Sequence, residues 1–472
     1  MNHTKIVATL GPTSAKESII RKLIPAGAGV FRLNFSHSTL YEHARRIERC
    51  RKIARQHNRS IAIIADLQGP KMRTGALQTE SIRLKRGQSL LLTTKRIIGD
   101  ETCVSVDYSG LPSLVKRGMI ILLNDGMIKV RVISKSKSRI RCRVLCGGEL
   151  GEHKGVTVLR LKLKSVFTQK DRRDIIFALK KGVDYFALSF VTCAADVIRI
   201  KKFISAHNAS VPIVAKIEKP EAVRDIRNIL KEVDGVMVAR GDLGIEGKLE
   251  NIPIWQKKII KEANKSGKIV ITATQMLESM ISSLTPTRAE VTDVANAIFD
   301  GTDAVMLSGE TAIGKYPVQV IGTMRRIIRS AEKSNLLDYY LDRFDQQEHS
   351  TTFSIAHAAI NAAREAHVKA IIVFTISGFT ARLISKRRPA VPIVALTPHK
   401  SVYNQMNLLW GVYPILIRSG KDINVVIRNG EKEILKRGLL KKGDRTVVVF
   451  GVAQTAGGTD RMKIMTIGTY GV

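Results

Sequence analysis

The stretch PIVAKIEKPEAVRDIRNILKEVDGVMVARGDL, which begins at Pro212, holds the residues best suited to chemistry. Two β-branched apolar runs, Pro212–Ile217 and Gly235–Ala239, each stop abruptly in charge. The first stops at Lys216 and Glu218, the second at Arg240, Gly241 and Asp242. A helix-length segment separates them, so the spacing predicts a strand, a helix and a strand, with both strands delivering their polar residues to one edge. Two carboxylates at one edge suit a hard divalent cation, and a neighbouring lysine can neutralise a phosphate. That combination is the equipment of phosphoryl transfer.

The 472-residue chain is long enough for two or three domains. Its 44% hydrophobic and 25% charged content suits a folded globular protein, and no uncharged apolar run is long enough to span a membrane. The opening MNHTKIVATLGPTS has strand texture and no signal-peptide core, which leads us to expect a cytoplasmic protein. Cys50, Cys103, Cys142, Cys146 and Cys193 are odd in number and scattered, which fits reduced thiols. The net charge of +36 invites a nucleic-acid reading. The basic residues, however, are spread along the chain and aromatics are only 5%, so a generally basic surface without a specific nucleic-acid partner is expected.

Strand-like runs recur at Lys5–Leu10, Val30–Phe35, Ile61–Leu67, Asp184–Phe190, Pro212–Ile217, Gly235–Ala239, Lys268–Thr274 and Asp303–Ser308, with helix-length segments between them. This predicts an α/β fold built on a (β/α)8 TIM barrel, formed by residues 1–70 and 167–336. Residues 71–166 interrupt the rhythm with short alternating segments and turns. They are expected to form an inserted small β-barrel lid domain. Residues 337–472 are expected to form a C-terminal α/β regulatory domain, with a helix at Ile355–Glu365 and strands at Ala370–Phe374, Val391–Leu396 and Arg445–Phe450.

Barrels gather chemistry where their strands end. Here those ends read Gly11-Pro12; Arg32, Asn34, Ser36, His37; Asp66; Ser189; Lys216, Glu218; Arg240, Gly241, Asp242; Thr274; Ser308, Glu310. The segments FRLNFSHS, ADLQGPKMRTG, VAKIEKPEAV, VMVARGDLGIE, TATQMLESMI, PTRAEVTDVANAIFDGTDAVMLSGETAIGKYP and TISGFTARLISKRRP occur in order from about Lys5 onward. Together they resemble pyruvate kinase.

That resemblance implies transfer of the phosphoryl group of phosphoenolpyruvate to ADP, giving pyruvate and ATP in glycolysis. It implies Glu218 and Asp242 as ligands of Mg²⁺ (or Mn²⁺), Lys216 and Arg32 as stabilisers of the phosphoryl group, and backbone N–H groups of Ala239, Gly241 and Asp242 as the carboxylate site. Thr274 would stand on the protonation side of the enolate, or simply cap a helix starting at Gln275. Asn34, His37, Arg73 and Lys154 would face the nucleotide. Arg240 is expected to be structural or interfacial. The lid would hinge near Gly69-Pro70 and Val166-Phe167, and the family's usual homotetramer is expected. Thr375, Ser377, Gly378 and Thr380 of TISGFT would contact a phosphorylated effector, with the loop Gly451–Asp460 closing over it, unless TISGFT only caps a helix.

Several positions depart from the family pattern. K⁺-dependent members hold K⁺ with residues matching Asn34, Ser36, Asp66 and the carbonyl of Leu67, and usually read DTKGPEIRTG. This chain reads DLQGPKMRTG, and the Lys71 ammonium carries the +1 charge that K⁺ would supply. Activity without K⁺ is therefore expected. Ser38 stands where the family commonly has Gly, Thr192 where many members have Arg, and VLRLKLKS replaces an NLP-type string. Two rival readings share the fold: a Mg²⁺-dependent enolate lyase or aldolase, and a degenerate basic barrel that binds nucleic acid.

Overall fold

The computed structural model describes residues 2–159, 161, 166–334, 336, 350–420, 423–451 and 458–469. Eight parallel strands close into a barrel: Lys5–Leu10, Ala28–Asn34, Ala62–Asp66, Tyr185–Leu188, Ile213–Ile217, Gly235–Ala239, Ile269–Ala273 and Ala304–Leu307. Each pairs with its neighbours in chain order, and the eighth pairs with the first. The third, fifth, sixth and seventh strands are buried along their whole length, as expected of a sheet wrapped on the outside by helices and filled on the inside by side chains. Reciprocal caps at Thr39 with Glu42, Thr168 with Asp171, and Thr287 with Glu290 fix where three of the barrel helices begin.

Between the third and fourth barrel strands, seven strands from Met72 to Val158 form a sheet with its own apolar core. Its pairings are antiparallel except the parallel one between Ser89–Thr93 and Cys103–Ser105. Ile128–Lys135 and Arg139–Cys146 alternate buried and exposed residues, the period-2 signature of a sheet wet on one face. Gly69 leads into this unit with φ +63, and a Cβ there would stand 3.0 Å from the Phe190 ring. Its N–H is tied to Asp171 at 3.0 Å. The expected hinge at Val166-Phe167 adjoins residues 162–165, which lie outside the described residues.

The C-terminal α/β unit carries a five-stranded sheet in the order Val412–Leu416, Ile393–Thr397, Ala370–Phe374, Arg445–Phe450, Arg461–Thr466, the last pair antiparallel. Inward-facing barrel residues Val7, Tyr185 and Ile269 share one apolar cluster with Ile371, Val373 and Ile393 of this sheet. The barrel's N-terminal mouth is thus plugged by the C-terminal unit. An ionic cluster reinforces the plug. Asp303, just before the eighth strand, takes the Nζ of Lys386 on one oxygen and Arg388 at 2.8 Å on the other, and both Asp303 and Lys386 are 1% exposed. Burial drags the Lys386 pKa down to about 8 against the opposing pull of Asp303. Breaking a buried ion cluster by removing one member leaves uncompensated charge. Lys386→Met is therefore expected to lower unfolding stability by about 3 kcal/mol in urea titrations. A loss under about 1 kcal/mol would show the cluster to be energetically neutral.

Candidate active site at the barrel rim

The second, third and fifth strands end in charge, and their parallel register brings those charges together. Arg32 donates to Asp66 Oδ2 from Nε at 2.6 Å, and its NH1 reaches Thr9 Oγ1 at 3.1 Å. Lys216 Nζ lies 3.3 Å from Asp66 Oδ1 and 2.8 Å from Glu218 Oε1, and donates to Ser189 Oγ at 2.7 Å. Glu218 accepts the Phe190 N–H at 2.7 Å. Burial alone would raise the Asp66 pKa, but Lys216 and Arg32 outweigh it and hold the carboxyl below its usual 3.8. Burial likewise opposes the Lys216 ammonium, yet Asp66 and Glu218 keep its pKa above the ordinary value, so it stays charged. Glu218 is pushed up by burial, with Lys216 pulling it back and Asp242 adding to the rise.

Asp242 begins the next part of the rim. It is one-third exposed, and its Oδ1 is 3.9 Å from Lys71 Nζ. Among the described residues no group of three or more His, Cys, Asp and Glu side chains is arranged to hold a metal. A cation at Glu218 and Asp242 would take its remaining ligands from water and substrate, which suits the reluctance of Mg²⁺ to shed its hydration. Two hard carboxylates, one buried and one accessible, fit such an ion.

Thr274 is not a helix cap. No helix starts at Gln275; the chain instead passes through two left-handed residues, Thr274 at φ +64 and Gln275 at φ +55, before a short 3-10 turn at Glu278–Ile281. Such angles cost on the order of 1–3 kcal/mol each for residues with side chains, and a β-branched threonine is an outlier there. Thr274 Oγ1 donates to the Ala273 carbonyl at 2.7 Å and accepts the Gly241 N–H at 2.9 Å. One of the three backbone donors expected to bind a carboxylate is therefore already engaged by this hydroxyl. Arg240 is buried and bonded within the chain to the carbonyls of Ala273, Thr274 and Gln275 and to Asp293.

On the nucleotide side, Arg73 reaches the His153 carbonyl at 3.0 Å and His37 Nε2 at 3.3 Å, so the inserted unit touches the rim there. Burial first, then Arg73 and Lys71, lower the His37 pKa, favouring the neutral ring. Asn34 is turned to the Ser36 N–H at 3.1 Å. Lys154 bonds through its backbone N–H to Thr74 Oγ1 at 2.9 Å, and its side chain runs over Gly151. Leu67 offers its carbonyl to Ser189 Oγ at 2.7 Å, and Asp66 is shared by Arg32 and Lys216. Ser38 adopts φ +71, so the left-handed conformation persists without the family's glycine.

Sequence reasoning passed over Thr9, Asp125 and Lys219. Asp125 sits in the Asn124-Asp125-Gly126 turn of the inserted unit and lines a cleft with Lys71, Phe190, Lys219 and Asp242. Its signal was the NDG turn, which presents a carboxylate at a loop tip. In the C-terminal unit, Thr375 Oγ1 accepts the Gly378 N–H at 3.0 Å and Thr380 Oγ1 meets Thr459 Oγ1 at 2.7 Å. Of the three expected effector hydroxyls only that of Ser377 is on an exposed residue, and it accepts the Phe379 N–H at 3.4 Å, the first of the helix that follows the N-cap Gly378. Residues 452–457 of the facing loop lie outside the described residues.

The sequence model of the pyruvate kinase barrel domain matches residues 1–321, and that of the pyruvate kinase alpha/beta domain matches residues 354–465. The chain belongs to the pyruvate kinase family. It is 44% identical over 468 residues to pyruvate kinase 2 of Synechocystis, covering 98% of this chain and 78% of that one. It is 41% identical to a pyruvate kinase of Thermococcus litoralis, covering 98% of both. The crystal structure of a pyruvate kinase from Cryptosporidium parvum superposes with a TM-score of 0.88 at 37% identity, covering 99% of this chain and 96% of that one. Membership in the pyruvate kinase family sets aside the lyase and nucleic-acid readings of the barrel.

At this rim Asp66 is the anion shared by Arg32 and Lys216. Asp66→Asn is expected to cost about 3 kcal/mol of stability near neutral pH, because two buried cations lose their partner. The sign of the pH dependence follows from the lowered pKa. The contribution is present above the unfolded value of 3.8 and is lost as pH falls through the lower folded value. Unfolding curves of wild type and variant should therefore converge only well into acid; a gap independent of pH would contradict this assignment.

Proposed function

We propose that this rim performs the family reaction, transfer of the phosphoryl group of phosphoenolpyruvate to ADP, with Glu218 and Asp242 as the Mg²⁺ ligands. The observation that carries the assignment is Lys216: a buried, charged ammonium held between Asp66 and Glu218 at the mouth of the barrel. Its charge faces the position where a phosphoryl group in flight spreads charge over its equatorial oxygens. Arg32, oriented by Asp66 and Thr9, grips the substrate phosphate through its fork. Bound Mg²⁺ supplies charge neutralisation for the phosphoryl and enolate oxygens.

The substrate carboxylate docks on backbone N–H groups of Ala239, Gly241 and Asp242. A carboxylate arriving at the Gly241 N–H displaces Thr274 Oγ1 from it, which frees that hydroxyl to direct a proton, through water, to the enolate carbon. Asn34, His37, Arg73 and Lys154 form the nucleotide side. Residues 71–166 act as a lid hinged at Gly69-Pro70 and at Val166-Phe167, excluding the water that would hydrolyse the phosphoryl group. Residues 1–70 and 167–336 form the catalytic domain and 337–472 the regulatory one, which takes a phosphorylated effector at Thr375, Ser377, Gly378 and Thr380. The protein works in the cytoplasm as a homotetramer, and no helix among the described residues is long and apolar enough to cross a membrane.

Lys71 replaces the monovalent cation. Its Nζ stands 3.9 Å from Asp242 Oδ1 and its charge bears on His37, which supports an ammonium supplying positive charge to this rim in place of K⁺. A lactate-dehydrogenase-coupled assay with phosphoenolpyruvate, ADP and Mg²⁺ should give the same rate with K⁺, with Na⁺ or with neither. Stimulation of tenfold or more by K⁺ would refute the Lys71 account and leave the reaction standing. Lys71→Glu should lose roughly tenfold without K⁺ and recover with it. Lys216→Met should lose at least about a thousandfold in kcat, and turnover near wild type would remove Lys216 from the mechanism.

A further inference from the structure

Arg240 lies within the substrate loop, between Ala239 and Gly241, yet its guanidinium serves the neighbouring strand end. Nε contacts the carbonyls of Ala273 at 3.3 Å and Thr274 at 3.2 Å, while NH2 contacts those of Thr274 at 2.7 Å and Gln275 at 3.1 Å. Three successive carbonyls thus converge on one planar cation. NH1 is held from the other side by Asp293 Oδ1 at 2.7 Å and Gln256 Oε1 at 3.3 Å, which arrive on two different helices. The side chain is only 8% exposed, so these bonds form away from competing water.

The carbonyls are those of the left-handed pair Thr274 and Gln275 and the residue before them. In that conformation successive peptide dipoles point to one side and repel. Neither residue is a glycine, so an outside contact has to hold the turn. The guanidinium fork supplies several donors in one plane, which a lysine cannot do. The turn in turn fixes Thr274 Oγ1 between the Ala273 carbonyl and the Gly241 N–H.

We infer that Arg240 is a positioning residue for protonation: by clamping the left-handed Thr274–Gln275 turn it sets where the Thr274 hydroxyl stands relative to the enolate carbon. The inference rests on the reading of Thr274 given above. In that step an O–H bond of water breaks as a C–H bond forms at the enolate methylene carbon, the C=C becomes C–C while the enolate C–O⁻ becomes the ketone C=O of pyruvate, and the hydroxide left behind regains a proton from bulk solvent.

The test is a double-mutant cycle on the full-length enzyme with Arg240→Gln, Thr274→Val and the pair, measuring kcat and the KM for phosphoenolpyruvate. Arg240→Gln should lower kcat roughly 10- to 100-fold with KM changed less than about threefold. Arg240→Lys should be nearly as slow, because one ammonium cannot span three carbonyls. In the Thr274→Val background, loss of Arg240 should cost less than about twofold more. Multiplicative losses, or full activity of Arg240→Lys, overturn the inference. Thr274→Val turning over at the wild-type rate would instead remove the reading of Thr274 on which the inference rests, a result distinct from multiplicative losses. Should Arg240→Gln not fold, Asp293→Asn loosens the guanidinium while leaving it buried. It should lower kcat about fivefold, again without adding to Thr274→Val, and an unchanged kcat refutes the clamp.

Discussion

A single buried carboxylate, Asp66, sets the terms for the rim. It is 1% exposed and balances two cations, Arg32 and Lys216, drawn from two other strands. Neither cation would tolerate that depth alone, because desolvation disfavours each charge. Only a closed parallel barrel in this register ends its second, third and fifth strands at the same level, so the network depends on the fold and the fold's mouth depends on the network. Glu218 adds a second negative charge against Lys216. The four charges cancel, leaving the pocket able to accept a phosphate with its metal without a large net field.

The same economy explains where the backbone is strained. Ser38, Phe190, Thr274 and Gln275 are non-glycine residues with positive φ, and each sits in a loop leaving a barrel strand. Phe190 is held by donating its N–H to Glu218, and the Thr274–Gln275 pair by Arg240. Strain at these positions points polar groups inward that an ordinary turn would send to solvent. Phe190 and the Thr274–Gln275 pair each lean on a charged side chain that itself belongs to the rim, so positioning and strain relief are there one arrangement.

Much of this was legible in the chain. All eight barrel strands were readable because buried parallel strands are continuous apolar runs, and their polar ends are abrupt: Lys216 and Glu218 follow IVA, and Asp66 closes IIA. What escaped depends on contacts between distant segments. That Thr274 Oγ1 occupies the Gly241 N–H requires two strands in register and two left-handed residues, and TATQ carries no glycine to announce them. The expected helix at Gln275 failed for the same reason: a threonine before polar residues looks like a cap wherever local pattern is the only guide. Lys154 was placed by motif, but a lysine side chain in an exposed turn goes where local packing takes it, here over Gly151. The edge strands Val412–Leu416 and Arg461–Thr466 were missed because one contains a proline and the other, mostly exposed, interrupts its apolar residues with Arg461 and Lys463.

The two ends of the barrel use one device for different ends. At the rim, Asp66 is shared by two cations of the barrel itself, so the charge network is complete before substrate arrives. At the opposite mouth, Asp303 is also buried and shared by two cations, but Lys386 and Arg388 both come from the C-terminal unit. The barrel alone cannot satisfy Asp303, whose backbone and side chain also hold Lys5 and Val270 in the strands that flank the eighth. Detaching the C-terminal unit would strand a buried carboxylate at the root of three barrel strands, one of which, the seventh, runs up to Thr274. Docking of the second unit is thereby written into the electrostatics of the first, and the helix that ends at Lys386, Phe379–Lys386, starts within the TISGFT loop.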